Sequence, residues 1–180
     1  MSQFNVHSII EGCLNNNRQA QQQLYQHYAD LMLGLCIRYI KAKPQAEEIM
    51  IGGFMKVFDK IGSFRQEGSF EGWIKRLMVN ECLMYLRKEK KHKNDLEIEI
   101  AYHEITPSQP DTGLEAGELL KLIKSLPEGY RTVFNMYAIE GYSHKEIAKT
   151  LGINEGTSKS QLSKARKHLK ELIKKYEHLS

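Results

Sequence analysis

The stretch GYSHKEIAKTLGINEGTSKSQLSKARKHLKELI, residues 141–173, decides how the rest of the chain is read. Ser143 and Glu146 stand in the S-x-x-E spacing of a capping box, where the two side chains satisfy amides left free at a helix start. Ile147, Ala148 and Leu151 supply the inward residues of a short helix, with the small Ala148 where a second helix must come close. Gly152 tolerates the positive φ of a turn just past a helix end, and Asn154 can cap the helix that follows. That helix carries Thr157, Ser158, Lys159, Ser160 and Gln161 in its first turns and keeps Leu162, Ala165 and Leu169 on its inner face. Helix, tight turn, helix is the order of a helix-turn-helix, whose second helix enters the major groove by its first turns. Hydroxyl and amide groups can reach base edges there, while Lys159, Lys164, Arg166 and Lys167 can meet phosphates or guanine. A basic amphipathic helix is often only a solvated one; the mutual spacing of cap, turn glycine and helix start is what points to DNA.

The rest of the chain is also helical in pattern. Alternating apolar runs joined by hairpin turns are absent, and Val and Thr are sparse. Residues 18–41 place Leu24, Tyr28, Leu31, Met32, Leu35 and Tyr39 at spacings of three and four, one helix's apolar stripe, and Lys43-Pro44 breaks it. A second helix runs from about Pro44 to Lys60, then a polar loop, SFRQEGSF (63–70), then a helix from about Phe70 to Lys91 bearing Trp73, Leu77, Leu83, Met84 and Leu86. Residues 92–113 contain Pro107, Pro110 and Gly113 with weak apolar content and read as a linker. Beyond it come helical patterns over 114–126 and 127–141. The expectation is an all-α chain of two small helical domains, residues 1–92 and 114–180, joined by an acidic linker at 93–113.

Charge follows the same division. The net charge of +4 hides 14 Lys/Arg against 9 Asp/Glu in residues 1–93, 5 acidic and no basic residues in 94–113, and 12 against 8 in 114–180. Two basic blocks flanking an acidic strip suit two polyanion-binding bodies, although ordinary solvated helix faces would also carry such charge. No basic start with a long apolar run opens the chain and no segment approaches a membrane span, so a cytoplasmic protein without membrane insertion is expected. Cys13, Cys36 and Cys82 fit no zinc or redox spacing and read as buried free thiols. No paired-carboxylate metal site, Cys/His cluster or phosphate-cradling glycine loop stands out, and His144 is alone in its motif. Enzymatic activity, a metal and a cofactor are therefore not expected.

Two stretches carry a family resemblance. LPEGYRTVFNMYAIEGYSHKEIAKTLGINEGTSKSQLSKARK (126–167) resembles the fourth conserved region of the extracytoplasmic-function group of bacterial sigma-70-type sigma factors. AEEI (46–49) and FMKVFDKIGSFRQEGSFEGWIKRLMVNECLMYLRKEKK (54–91) resemble its second region. The resemblance spans about residues 18–175 and implies a promoter-specificity subunit of RNA polymerase. It implies a first domain that binds the clamp helices of core RNA polymerase and captures the unwound non-template strand. It implies a second domain that reads the upstream promoter element in double-stranded DNA while docking on the flap of the other large subunit. An anti-sigma factor is a further candidate partner.

Residue by residue, the upstream-element set is Thr157, Lys159, Ser160, Gln161, Ser163, Lys164, Arg166 and Lys167. The strand-capture set is Phe64, Arg65, Lys75, Arg76, Asn80, Arg87 and Lys88: stacking faces, phosphate contacts and an amide for a base edge. Phe70 and Trp73 read as core more than as stacking residues, and Asn80 as either an ordinary amide or a strand contact. The polymerase-binding set is Glu47, Glu48, Ile51, Gly52, Met55 and Lys56. At 51 and 52 the family pattern places a glutamine and an acidic residue; this chain has Ile51 and Gly52. A helical wheel centred on Phe54, at about 100° per residue, puts Met50, Val57, Phe58 and Ile61 on the core stripe and Gly52 on the far side with Glu48, Met55, Lys56 and Asp59. The alternative is a helix-turn-helix regulator acting without polymerase, which would need neither the aromatic loop nor this surface.

Overall fold

A helix start leaves amides without partners, and this chain meets that need with asparagine at Asn5, Asn17 and Asn154. The computed structural model of the protein describes residues 5–95 and 116–177, and every regular element among them is helical. These residues fall into two compact units, one before and one after the undescribed interval 96–115, in which most of the proposed acidic linker lies.

In the first unit, α1 (Val6–Leu14) starts at Asn5, whose Oδ1 accepts hydrogen bonds from the amides of His7 at 3.0 Å and Ser8 at 3.2 Å. α2 (Arg18–Tyr39) starts at Asn17, which accepts from Gln19 at 2.9 Å and Ala20 at 3.1 Å. Asn16, between them, sits at φ 55°, a region asparagine enters more readily than most residues. The triple asparagine is thus a turn and a cap, and α1 is an element the sequence pattern did not yield: nine residues burying only Ile9, Ile10 and Cys13.

α3 (Lys43–Lys60) follows with Pro44 in its first turn, then a tight turn at Ile61–Ser63, and α4 (Phe70–Asp95). The core joins Leu24, Met32, Leu35, Cys36 and Tyr39 of α2 to Ala46, Met50, Phe54 and Val57 of α3 and Ile74, Met78, Val79 and Cys82 of α4. Two details differ from the expected stripes. Leu31 is 41% exposed, and the buried face takes in Cys36 as well. On α4 the buried residues are Phe70, Ile74, Met78 and Cys82 at steps of four with Val79 and Leu83 beside them, and Met84 is left 53% exposed. The helix continues to Asp95, past its expected end near Lys91, so the whole basic run 87–93 belongs to its last turns. All three cysteines are free and buried, and contact with Cys36 together with burial pushes the Cys82 thiol far above its usual range.

The second unit comprises α5 (Ala116–Ser125), α6 (Glu128–Phe134), α7 (His144–Leu151) and α8 (Glu155–Glu177). Leu122, Ile123 and Leu126 pack on Ala165 and Leu169, with Tyr130, Phe134, Leu172 and Ile173 closing round them. Residues 127–141, expected as one helix, change pitch at Asn135–Ile139 into a π turn, where Glu140 N–H donates to Asn135 O at 2.9 Å. The wider turn accommodates two adjacent buried residues, Asn135 and Met136. Arg131 is buried and donates through Nη1 to the carbonyls of Leu126 at 3.0 Å and Lys124 at 3.4 Å, so it occupies acceptors left over at the end of α5. Burial lowers its pKa, with Glu128 acting the other way. No helix among the described residues is long and apolar enough to cross a membrane.

The paired glycines of α3 have opposite reasons. At Gly53 a Cβ would overlap Met78 Sδ and come within 2.9 Å of its Cε, so the end of the buried Met78 side chain fills the space that a side chain at 53 would take between α3 and α4. At Gly52 a Cβ would meet nothing within 4 Å. Gly52→Ala should therefore stabilise the chain by about 1 kcal/mol through helix propensity alone. Gly53→Val should destabilise it by about 1–3 kcal/mol through overpacking. Urea unfolding followed by the fluorescence of Trp73, the single tryptophan, checks both; equal effects at the two positions would refute the assignment.

Candidate nucleic-acid interface

Between α3 and α4 the chain turns through Phe64–Ser69 with Gln66 at φ 59° and Gly68 at φ 115°. Ser69 Oγ accepts from the Gly72 amide at 3.0 Å and starts α4. This turn folds Phe64 back on Phe70 and Trp73, with ring centroids 5.1 and 5.6 Å away, while Phe70 and Trp73 stack at 5.6 Å. Phe70 is buried against Tyr28, as a core residue should be. Phe64 and Trp73 are only half-buried, and they line an open cavity of about 370 Å³ with Arg65, Glu67, Ser69 and Arg76. The volume is within the range of small-ligand pockets. An aromatic wall with arginines at the rim offers a face for a base and cations for its phosphates.

The strand-capture set is only partly assembled there. Phe64, Arg65 and Arg76 surround the cavity. Asn80 and Arg87 are exposed and lie within about 40° of Arg76 round α4, so they continue one line away from it. Lys75 points elsewhere and pairs with Glu71 at 2.8 Å. Lys88 lines a different depression, of about 410 Å³, with Glu48, Ile49, Gly52, Glu81, Met84, Tyr85 and Glu89.

That depression adjoins the expected polymerase-binding surface. Ile51 is 54% and Met55 61% exposed, and with Met84 they give this side of α3 and α4 an apolar character. Glu48 and Gly52 share it, but two expected members are occupied: Lys56 Nζ meets both carboxylate oxygens of Glu81 at 2.7 Å, and half-buried Glu47 pairs with Lys43 at 3.7 Å. The Lys56–Glu81 pair joins residues twenty-five apart and has no sequence signal. Burial and the nearby Glu89 and Glu48 carboxylates raise the Tyr85 pKa.

In the second unit the helix-turn-helix is built as its local signals require. Ser143 N–H donates to Glu146 Oε2 at 2.8 Å and Ser143 Oγ accepts from Glu146 N–H at 3.2 Å. Gly152 takes φ 68°, and Asn154 Oδ1 accepts from the Thr157 amide at 2.6 Å. With Ser158, Leu162, Ala165 and Leu169 buried, Ser160, Ser163, Lys164 and Lys167 emerge together on the opposite side of α8. Lys159 and Arg166 lie on one flank, where the Arg166 guanidinium stands 5.7 Å from the Tyr137 ring centre. Thr157 and Gln161 lie on the other and are half-buried, with the Gln161 amide beside Gly129. Ala148 and Leu151, expected inside, are half-buried, and Ile147 carries the inner face of α7.

Comparison with known proteins matches this arrangement. Residues 24–92 match Sigma-70 region 2, and residues 116–169 match Sigma-70, region 4. The chain belongs to the sigma-70 family, in its extracytoplasmic-function group. It is 24% identical to the ECF RNA polymerase sigma-E factor of Haemophilus influenzae, over 95% of this chain and 96% of the relative. It is 29% identical to the ECF RNA polymerase sigma factor SigW of Bacillus subtilis, over 92% and 95%. Among solved structures it is similar to the sigma factor RpoE of Bartonella quintana in complex with the anti-sigma factor NepR, with 25% identity, coverage of 85% and 96%, and a TM-score of 0.59. The function of this sigma factor is promoter-specific initiation of transcription with core RNA polymerase. Region 2 begins within α2, so α1 lies outside both matched regions, whereas region 4 begins with α5.

Stacking of one base on an aromatic side chain is worth about 1–3 kcal/mol. Phe64→Leu, which keeps apolar volume but loses the flat face, should therefore lower promoter opening by roughly 5- to 150-fold with duplex binding unchanged. Permanganate reactivity of promoter thymines in the reconstituted holoenzyme measures it; undiminished opening would remove the cavity from strand capture.

Proposed function

We propose that the two units divide promoter recognition between them. In region 2 the cavity of Phe64, Trp73, Arg65 and Arg76 receives a base of the unwound non-template strand, and Asn80 and Arg87 follow the strand along α4. In region 4 the exposed side of α8, with Ser160, Ser163, Lys164 and Lys167 at its centre and Lys159, Arg166, Thr157 and Gln161 at its flanks, reads the upstream element in duplex DNA. Core RNA polymerase is bound through both large subunits: by region 2 on the α3 side bearing Glu48, Ile51, Gly52 and Met55, and by region 4 on the flap. Both DNA and polymerase put the working protein in the cytoplasm. An anti-sigma factor is a further partner, a role supported by the RpoE–NepR complex. The observation that carries the reading is the arginine-flanked aromatic cavity: a regulator that used only its helix-turn-helix would have no need of one.

Adding the protein to core polymerase should give transcription from defined start sites, with shared upstream sequences aligned at two spacings. Start-site mapping with the reconstituted holoenzyme tests this, and failure to bind core enzyme at low salt would sink it.

The α3 surface generates a second test. A central polar contact at an interface is worth about 2 kcal/mol, roughly 30-fold in affinity. Ile51 and Gly52 lack the polar groups the family places there, and open space at Gly52 admits a longer side chain. The double change Ile51→Gln with Gly52→Glu should tighten core binding by about that factor. Unchanged affinity in a fluorescence titration would mean that the apolar surface already binds as well as a polar one.

A further inference from the structure

The turn of the helix-turn-helix contains a polar contact that belongs to neither helix's own hydrogen bonding. His144, the first residue of α7, sets Nδ1 2.9 Å from Oγ of Ser158, which is fully buried in the first turn of α8. The bond forms with either tautomer, Nδ1 accepting from the hydroxyl or donating to its oxygen. The His144 ring also lies against Tyr137 of the π turn, centroids 4.5 Å apart and planes 22° apart. Tyr137 is in turn the ring beside which Arg166 stands.

We propose that His144 and Ser158 are a positioning pair that fixes the rotation of α8 about its axis and so sets which base edges region 4 reads. The proposal rests on α8 being the recognition helix. Apolar contact between α7 and α8 through Ile147, Leu162 and Ala165 is non-directional and tolerates a small turn or slide. A hydrogen bond weakens steeply when bent, and a buried hydroxyl deprived of its partner is costly, so the His144–Ser158 contact adds direction to that packing. Asn154 secures the end of α8, accepting the Thr157 amide on its side chain and the Ser158 amide on its carbonyl at 3.1 Å. His144 secures its rotation. With Ser158 held inward, about 100° per residue puts Ser160 about 160° away, on the side that faces out. Two turns further along, Tyr137 relates the same histidine to Arg166, so the pair and the tyrosine act on both ends of the candidate reading surface.

The test uses reconstituted holoenzymes carrying His144→Asn, His144→Phe, Ser158→Val, and the last two combined. Each is selected on a promoter library randomised across the upstream element, and affinity for an unrelated duplex is measured beside it. The asparagine amide can still reach Ser158, so His144→Asn should keep the wild-type sequence preference within about twofold. His144→Phe keeps a ring against Tyr137 without the polar atom. It and Ser158→Val should each lower selectivity by about 10-fold, with no further loss in the double variant and unrelated-duplex affinity unchanged. Circular dichroism melting identifies a variant that fails to fold, and the remaining single variant then decides. Wild-type preference in both His144→Phe and Ser158→Val would overturn the proposal. A uniform fall in affinity across all sequences would also overturn it, making His144 a phosphate contact. Loss in His144→Asn with retention in His144→Phe would overturn it in favour of ring stacking. Absence of any upstream preference in the wild-type holoenzyme would instead reject α8 as the recognition helix, a result distinguishable from the other three.

Discussion

The packing of α3 on α4, where Met78 fills the space beside Gly53, is the constraint on which the first unit depends. Phe54 and Val57 of α3 and Ile74 and Val79 of α4 are all buried, and the turn between the two helices has to reverse within a few residues. That reversal brings Phe64 back on Phe70 and Trp73 and leaves a cavity instead of a filled corner. The same packing sets the depression on the other side of the pair, where Gly52 contributes no side chain. One helix–helix contact thus shapes both the candidate base site and the candidate polymerase surface. Adjacent glycines serve it differently, one by close packing and the other by omission.

The second unit depends less on close packing and more on polar groups placed at helix ends. Ser143, Glu146 and Asn154 satisfy amides at two starts, Gly152 makes the turn between them, and Arg131 satisfies carbonyls where α5 ends. Short helices cannot hold their orientation by propensity alone, since an isolated helix below about 12–15 residues is marginal in water. Directional bonds at their ends, together with burial of Ile147, Leu162 and Ala165, give α8 a defined face. The basic residues on that face then have fixed relative positions, which sequence reading by a helix requires.

Much of this was legible because its causes are local. The capping box, the αL glycine and the Asn154 cap each act within four residues, so spacing alone reveals them. The far-side placement of Gly52 followed from the wheel for the same reason. α1 escaped because nine residues with three buried positions give too short a period, although Asn5 and the Asn15–Asn17 cluster were its signals. The π turn at 135–139 left no trace in the pattern, since two adjacent buried residues can be read equally as an ordinary helix face. Lys56 and Lys75 were counted with the contact surfaces, yet Lys56 faces Glu81, which only the packing of α4 supplies, while Glu71, four residues before Lys75, was open to spacing alone.

By itself, then, the sequence determined the all-helical class, the helix-turn-helix with its start, turn and exposed face, and the family to which the chain belongs. Periodicity and capping are short-range effects written into neighbouring residues. Only the tertiary structure decided that Phe64 and Trp73 border an open cavity, that Lys88 lies with Gly52 and not with the strand-capture residues, and that His144 meets Ser158. Those outcomes depend on which helix lies opposite, at separations of fourteen residues or more for His144 and Lys88. A side chain's chemistry is carried by its type, but whether it is paired, buried or offered to a partner is set by what packing brings within a few ångströms of it.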